Sequence, residues 1–520
     1  MRLAATLLVC VLCASPLAAA PADVPGIAGV VKIPFSMPYD GQATIAIYTK
    51  QGRLVRPVAQ LLELKQGHHA IRWDGLDLWG NPLPEGAQLI AKVFTNPGLR
   101  ATYEFTVGHA NPTPWLTRPV GEGMQMRTGG WMGDHTPPQS AVAVGEKLFF
   151  GCGTAEHGHA LIATDLDGNK LWGINGLQGW SGPTRMASDG KFLYCDAKGK
   201  DIWRVNVQTY EKQKVYSTGD DSVHAIAIDN GNVLVLLKTK DGQQSRVLIN
   251  GETGQEIQPR KPAAQPILAI VFADGASWFC TDTALLVNRG QGDVILNNKD
   301  LKKPISIAVT DKLIAVGDDE LNAVLVFDKQ GKLLKTLGNK GPRKAGPWDP
   351  QIIQRPTGVA IDNNGKVWVC ENLYVPKRIA RFNLDGQCEK QFFGPAEYGG
   401  GGYLDHNLKR FYYRSMEFAL DFDKGTWQLV NLNDHISNPH TPAPQGGGFT
   451  FTTIGRPIYH NGHRYIVNNP ERSDGFQVCI LDDGMNTWRP CVVMKSAVDV
   501  HTDRKTRQKT YSLPLFLRKE

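Results

Sequence analysis

The chain has 520 residues, more than one ordinary hydrophobic core accommodates, so at least two domains are expected. Its 55 glycines and 32 prolines occur without low-complexity repeats, which is typical of a β protein rich in turns and argues against a disordered chain. The net charge of +7 is small for this length and is dispersed, so it does not favour a nucleic-acid partner.

Residues 1–22 predict a secretory signal peptide. Arg2 precedes an apolar run over residues 3–12, and Ala20-Pro21-Ala22 supplies a small-x-small cleavage site. The run is short for a membrane span, and no later segment holds roughly 18 consecutive apolar residues. We therefore expect an extracytoplasmic protein, secreted or periplasmic, with no transmembrane segment after cleavage. An uncleaved N-terminal anchor is the alternative.

Two of the nine cysteines, Cys10 and Cys13, lie in this leader, which leaves seven. An odd number means that at least one is free or pairs between chains. Four of them recur at the end of an aromatic-rich run, which predicts small buried side chains and not disulfides. These four are Cys152, Cys195, Cys280 and Cys370. Cys479 and Cys491 flank Met485 in a predicted hairpin and are candidates for a disulfide.

Residues 27–108 contain seven short apolar runs with regular turns between them, which predicts a β-sandwich. The runs are residues 30–35, 43–48, 54–58, 61–64, 70–73, 88–94 and 102–107.

The same segment resembles the Ig-like domain of flagellar hook-capping proteins. The resemblance is carried by residues 43–48, 52–56 and 67–77, with Trp73-Asp74-Gly75-Leu76-Asp77 as its most specific turn. It extends through Gly80-Asn81 to Glu85-Gly86. The resemblance implies a spacer or interaction module.

A connector rich in Pro and Gly, residues 109–136, precedes a repeated unit that is clearest at 355–394. There, four short apolar runs alternate with Asn, Asp and Gly turns, which predicts a four-stranded meander. So small a meander buries its faces only by stacking against copies of itself. Eight stretches share this rhythm: 137–175, 183–218, 222–258, 264–299, 303–338, 355–394, 400–434 and 452–493.

Repeated four-stranded units close into a ring that removes sheet edges, so residues 137–494 predict a β-propeller of eight blades, with seven as the alternative. Residues 355–394 resemble the NHL repeat family of propellers through RPTGVAID, VWVCE, RIARF and the following Asp385-Gly386. Residues 303–338 are similar, except that Asn322 to Phe327 replace the arginine-containing run. The predicted fold class is all-β. Residues 495–520 form a basic C-terminal tail, predicted to be solvated or weakly docked.

In propellers the first strand of each blade lines a central channel, and the ends of the second strands lie on the same face as its mouth. When the apolar runs of this sequence are assigned to first and second strands in this way, a ring of cations, acids and two indoles falls at the predicted mouth. The candidate ligand-binding residues are Arg185, His224, Lys303, Arg355, Arg456, Asp318, Glu371, Trp180 and Trp348. The second-strand ends also include Asp196, Lys238, Arg414 and Asn468. Such a mouth favours an acidic sugar or another planar anion. The alternative is that these are ordinary loop charges and rim aromatics that pair with one another.

Other motifs give weak signals. His157-Gly158-His159 has no third ligand at a suitable spacing, and Asp165 to Asn169 fits a hairpin turn better than a calcium loop. No metal, cofactor or catalytic residue is therefore predicted.

The leading hypothesis is an exported, non-catalytic binding or scaffold protein that holds a glycan or an extracellular protein. The first alternative is a propeller enzyme, either a polysaccharide lyase or a calcium-dependent lactonase. It would recruit Glu371, Asn372, Asp318 and His224. A cell-surface assembly subunit is the third possibility.

Overall fold

In the computed structural model the chain divides into two compact units, Met1–Tyr103 and Glu104–Glu520. All of the regular elements in the described residues are β-strands. The described residues are 22–24, 29–98, 105, 107–108, 131–338, 340–344, 346–394, 402–413, 416–432, 452–454, 458–470, 475–482, 487–495, 499–502 and 509–512.

Among its described residues the first unit contains two three-stranded sheets, with strand orders β1-β5-β2 and β4-β3-β6. Its strands are β1 (Ala22–Asp23), β2 (Val31–Met37), β3 (Gly41–Thr49), β4 (Leu54–Leu64), β5 (Gly67–Trp73) and β6 (Leu89–Asn96). Both sheets contribute to one core, in which Ile33 and Ile71 from one sheet and Ile45 and Ile47 from the other are fully buried or nearly so. The unit is thus a small two-layer arrangement of sheets.

Two of the predicted runs in this unit differ from the observed strands. Residues 54–58 and 61–64 belong to a single strand, β4, because the chain bulges at Leu61, whose φ is 52°, instead of turning back. The predicted strand at residues 102–107 falls mostly outside the described residues.

The described part of the second unit contains six four-stranded sheets, each a meander of consecutive strands, here called ring sheets 1 to 6. Ring sheet 1 comprises β7 (Pro138–Val144), β8 (Lys147–Cys152), β9 (Leu161–Asp165) and β10 (Lys170–Ile174). Ring sheet 2 comprises β11 (Met186–Ser188), β12 (Phe192–Ala197), β13 (Lys200–Asn206) and β14 (Lys212–Tyr216). Ring sheet 3 comprises β15 (Ser222–Asp229), β16 (Asn232–Lys238), β17 (Gln244–Asn250) and β18 (Glu256–Pro262).

Ring sheet 4 comprises β19 (Ala269–Ala273), β20 (Ala276–Cys280), β21 (Leu285–Asn288) and β22 (Asp293–Asn297). Ring sheet 5 comprises β23 (Pro304–Val309), β24 (Leu313–Asp318), β25 (Ala323–Asp328) and β26 (Leu333–Gly338). After β27 (Gly346–Pro347), ring sheet 6 comprises β28 (Pro356–Ile361), β29 (Val367–Glu371), β30 (Arg378–Phe382) and β31 (Cys388–Phe393).

The first strands of these sheets contact one another in a closed cycle. Each of β7, β11, β15, β19, β23 and β28 contacts the next, and β28 returns to β7. Residues of all six sheets line one central cavity. The repeated β structure is therefore propeller-like, and its cycle contains six sheets where the sequence predicted eight or seven.

The last two predicted units form sheets, but the cycle closes on β28 and β7 without them. One is a five-stranded sheet in the order β27-β35-β34-β33-β32. Its later strands are β32 (Tyr403–Asp405), β33 (Arg410–Tyr413), β34 (Met416–Asp421) and β35 (Thr426–Leu432). Its apolar side chains pack against Phe393, at the end of the outermost strand of ring sheet 6, so they are buried without joining the ring.

The other predicted unit forms a sheet of β36 (Thr452–Ile454), β37 (Ile458–His460), β38 (His463–Pro470), β39 (Gly475–Asp482) and β40 (Thr487–Lys495). In it Cys479 is paired in register with Pro490, and the side chains of Cys479 and Cys491 lie outside the description. A final hairpin joins β41 (Asp499–Thr502) and β42 (Lys509–Ser512), within the predicted tail.

The second strand of each ring sheet is mostly buried because it lies between two neighbouring sheets. This explains near-continuous apolar runs such as KLFFGC in β8 and VWVCE in β29, whereas the outermost strand β18 is exposed throughout. The four cysteines that close such runs are free and fully buried, which confirms the sequence interpretation. Burial raises the pKa of the Cys195 thiol well above its ordinary value, so this thiol is not a reactive group.

A serine–proline contact recurs between adjacent ring sheets. The Ser140 hydroxyl donates to the Pro183 carbonyl at 3.3 Å, and the Ser306 hydroxyl donates to the Pro356 carbonyl at 2.7 Å. A Cβ on Gly317 would lie 2.4 Å from that Pro356 oxygen, so glycine is required for the close approach. These contacts join ring sheet 1 to sheet 2 and ring sheet 5 to sheet 6.

The ring closes between sheets 6 and 1 through packing and charge. The indole of Trp131, fully buried, stacks on Phe392 with 5.1 Å between ring centroids and donates to the Gly168 carbonyl at 3.2 Å. Arg381 donates to the Leu166 carbonyl at 2.8 Å. Residue 131, which the sequence assigned to the connector, is therefore part of the closure.

Candidate functional site: the mouth of the central cavity

The six first strands surround a cavity that is open to solvent, and its empty space, with the open mouth included, is about 460 Å³. Its lining is Ser140, Ala141, Thr184, Arg185, Met186, His224, Ala225, Ile226, Leu268, Ala269, Ile270, Ile305, Ser306, Ile307, Thr357, Gly358 and Val359. Arg185 is the one residue with a full charge in this described lining, which contains no carboxylate. The cavity therefore favours a ligand with a negative group over a cation.

Arg185 lies just before β11 and is fixed by main-chain oxygens. Its Nε donates to the His224 carbonyl and its Nη1 to the Thr184 carbonyl, both at 2.8 Å. Its Nη2 donates to no residue that the structure describes, and no carboxylate there lies within ion-pairing distance. Burial lowers the pKa of Arg185 from its ordinary value, and the nearby Asp196 opposes this shift. A guanidinium remains charged at neutral pH, so Arg185 offers a fixed, incompletely used donor group.

His224 lies on the adjacent ring sheet and presents a neutral imidazole. Burial lowers its pKa to about 4, and the positive charges of Arg185 and Lys238 act in the same direction. Its Nε2 is buried and has no hydrogen-bond partner among the described residues. The ring can donate or accept there, depending on its tautomer.

Polar groups without partners continue around the mouth. The Thr357 hydroxyl and the Gln139 Oε1, next to the lining residue Ser140, are buried and have no hydrogen-bond partner in the described chain. In the order of the ring, sheets 6, 1, 2 and 3 thus contribute polar groups. Sheets 4 and 5 contribute Leu268 and Ile305, and the Ser306 hydroxyl of sheet 5 is already bonded to the Pro356 carbonyl. The mouth has a polar arc and an apolar arc, which suits a ligand with one hydrophilic and one apolar side.

Asp196 and Asp318 do not line the cavity; each holds the chain that leads into its own ring sheet. The buried carboxylate of Asp196 accepts from the Thr184 amide at 2.9 Å and from its hydroxyl at 2.7 Å. The buried carboxylate of Asp318 accepts from the amides of Lys302 and Lys303 at 2.7 and 2.8 Å. Asp318 thus positions the loop that leads into ring sheet 5, and its ligand-binding role stays a prediction.

Glu371 is also fully buried and belongs to an internal ion-pair cluster. It lies 3.1 Å from the Arg343 guanidinium and 3.2 Å from that of Arg378. It also accepts from the Gln354 amide at 2.9 Å. Both guanidinium groups lie over the Trp348 ring, 4.5 and 5.4 Å from its centroid. Glu371 and Trp348 are therefore engaged inside the protein and away from the cavity lining.

Lys303 and Arg355 meet a common acid outside the cavity lining. Lys303 Nζ lies 2.8 Å from one Asp319 oxygen, and Arg355 Nε lies 3.8 Å from the other. Trp180 is 44% exposed and lies over the loop of ring sheet 1, where its carbonyl accepts from the Ala155 amide at 3.1 Å. Arg456 lies outside the described residues. Of the nine candidates, the structure brings Arg185 and His224 together at the cavity.

Sequence reasoning missed Gln139 and Thr357, although a signal was present. Each follows a proline that opens a first strand, as Thr184 follows Pro183 before β11. Proline is tolerated as the first residue of a strand, where its missing N–H removes no ladder hydrogen bond. Because proline also fixes its own φ, the residue after it enters the strand in a defined position.

No protein-family model matches the chain, and no curated protein matches it. Solved structures with similarity include a nidogen/laminin complex, at 12% identity and a TM-score of 0.34, over 48% of this chain and 92% of that chain. Hydrazine synthase of Kuenenia stuttgartiensis matches at 14% identity and a TM-score of 0.32, over 48% and 84%. The computationally designed protein Ika8 matches at 15% identity and a TM-score of 0.31, over 58% and 98%.

The described residues include no helix with the length and hydrophobicity needed to cross a membrane.

Proposed function

We propose that this chain is an exported, non-catalytic binding protein whose cavity mouth holds a carboxylate-bearing sugar, the terminal unit of an acidic glycan. The proposal includes a signal peptide at residues 1–22, an Ig-like sandwich of the hook-capping kind as spacer, and an NHL-type propeller of six blades as the binding unit. The observation that carries the binding proposal is Arg185, the one charged side chain in the described cavity lining.

The chemistry of the mouth supports a sugar acid in particular. A carboxylate would meet the guanidinium of Arg185 through charge-assisted hydrogen bonds, which are stronger than those between neutral groups. Hydroxyl groups of the sugar would meet His224 Nε2 and the Thr357 hydroxyl, which lack partners in the described chain. The C–H face of a pyranose ring would rest against Leu268 and Ile305. A simple inorganic anion would leave this apolar arc unused.

Catalysis has weaker support at this site. An enzyme should bring acid, base or metal-binding groups together. Asp318 and Glu371, the acids that the enzyme hypothesis would recruit, are buried and occupied with main-chain amides and arginines.

Calorimetric titration with glucuronate and galacturonate, and with glucose as the neutral control, tests the proposal. The uronates are expected to bind and glucose is not. Arg185→Gln should weaken binding at least about tenfold, because a charge-assisted contact is lost. Lys303→Gln is the matched control, since it removes a cation that is bound to Asp319 outside the cavity lining.

Arg185 also holds the His224 carbonyl, so Thr357→Val serves as a second variant that removes a lining hydroxyl and keeps the side-chain shape. It should weaken uronate binding without lowering the melting temperature. Equal binding of glucose and the uronates, or equal losses in Arg185→Gln and Lys303→Gln, would contradict the proposal.

A further inference from the structure

We propose that Asp134, His135 and Glu156 form a binding site for a divalent transition metal, independent of the cavity. An oxygen or nitrogen atom from each of the three side chains lies within 4.8 Å of the others. His135 Nδ1 is 3.0 Å from Asp134 Oδ1, and His135 Nε2 is 3.4 Å from Glu156 Oε2. The imidazole therefore has a carboxylate at each of its nitrogens.

The loops of ring sheet 1 build this arrangement. Residues 134–135 precede β7, and Glu156 lies in the loop between β8 and β9. Since Pro138 pairs with Cys152, both segments leave the same end of the sheet. Asp134 Oδ1 accepts from the amides of Glu156 and His157 at 2.9 and 3.0 Å, which ties the two segments together. The Asp134 side chain thus fixes the main chain that carries Glu156.

The distances fit one metal ion between His135 and Glu156. Zinc bonds to imidazole nitrogen and carboxylate oxygen at about 2.0–2.2 Å, so two ligands in a tetrahedral site stand roughly 3.4 Å apart. The separation of His135 Nε2 and Glu156 Oε2 is 3.4 Å. Asp134, at the other nitrogen, occupies the place of the carboxylate that commonly orients a metal-binding histidine.

The Asp134 carboxylate is fixed beside His135. Its side chain is only 10% exposed, and its Oδ1 accepts from the amides of Glu156 and His157. The imidazole that it contacts is therefore held in one orientation, with Nε2 towards Glu156. Glu156 is 34% exposed, so the open coordination positions can be reached by water or by an external ligand.

One cation already approaches this cluster. The Lys377 ammonium, buried on ring sheet 6, donates to the main-chain carbonyls of Gly133 and Asp134. Lys377 carries one positive charge, whereas Asp134 and Glu156 together carry two negative charges. The net charge of the cluster is therefore negative when His135 is neutral. An imidazole nitrogen and a carboxylate oxygen as ligands suit Zn²⁺ or Mn²⁺ better than soft, thiolate-binding metals.

Titration of the metal-free full chain with Zn²⁺ by calorimetry tests the site, and Co²⁺ absorption spectra report whether nitrogen enters the coordination shell. Glu156→Gln, which keeps the shape of a ligand and removes its charge, should abolish one equivalent of Zn²⁺ binding. Asp134→Asn can keep the two amide contacts and should weaken binding by roughly ten- to a hundredfold, as expected for an orienting partner.

His157→Ala is the matched control, because His157 is the exposed neighbour of Glu156. It should leave that equivalent of Zn²⁺ in place. If Zn²⁺ binding is absent, is unchanged in Glu156→Gln, or is lost to the same degree in His157→Ala, the proposal is overturned. In the first case the cluster is a set of contacts between side chains that holds no metal, and in the others the metal binds at surface histidines.

Discussion

Replacing Trp131 with Ala should open the ring at the junction of ring sheets 1 and 6. The side chain is fully buried and stacks on Phe392, and its ring centroid lies 6.0 Å from that of Phe150. Truncating a buried Trp costs about 3–5 kcal/mol, and the Gly168 carbonyl, which loses the indole donor, adds about 1 kcal/mol. We therefore expect a loss of about 4–6 kcal/mol in the free energy of unfolding of the ring.

Urea unfolding gives the magnitude, and amide hydrogen exchange gives the location. The matched control is Trp278→Ala, because Trp278 is equally buried and its indole also donates to a carbonyl, that of Ala273 at 3.0 Å, but between ring sheets 4 and 5. Trp131→Ala should speed exchange in both β7 and β28, and Trp278→Ala in β19 and β23. A cost below about 1 kcal/mol, or faster exchange in ring sheet 1 with none in sheet 6, would refute the closure.

Three further outcomes follow from the packing and charges of the ring. Gly358→Ala should cost about 1–3 kcal/mol by urea unfolding, because its Cβ would lie 2.8 Å from the main chain of Ser140 across the same junction. Glu371→Gln should cost about 3–5 kcal/mol, since it leaves two buried guanidinium groups without their carboxylate, and a loss no larger than that of an exposed Glu→Gln change would contradict the buried ion pairs. The pKa of His224 is lowered to about 4, so the unfolded chain binds more protons as the pH falls from about 6.5 to 4. The folded state should therefore lose up to about 3 kcal/mol over that window, and His224→Gln should flatten the profile.

The repeated meanders could be predicted from the sequence because each strand leaves a local signature. Apolar runs such as VWVC and turns such as Asn363-Asn364-Gly365 depend on neighbours within the same meander. The number of sheets in the ring is set by contacts between distant segments. Residues 400–434 have the rhythm of a ring sheet, but their apolar side chains pack against Phe393.

Some residues of the candidate site could likewise be predicted from the sequence, and others could not. The register was sufficient to place Arg185 and His224 near the channel, because both stand at the start of a first strand. The predicted strand register could not reveal that the carboxylates at the ends of second strands bond to main-chain amides and arginines of the protein and do not line the cavity. Asp318 and Glu371 follow apolar runs, where a carboxylate is equally compatible with a ligand and with the amides of a neighbouring loop. Only the three-dimensional positions of the donors distinguish the two cases.

A crystal structure of the protein soaked with glucuronate tests the central claim most directly. The account predicts six sheets around the cavity and density for a carboxylate within hydrogen-bond distance of Arg185 Nη2, with the sugar ring against Leu268 and Ile305. An open arrangement of sheets, or a sugar bound elsewhere with the cavity mouth filled by water alone, would contradict it.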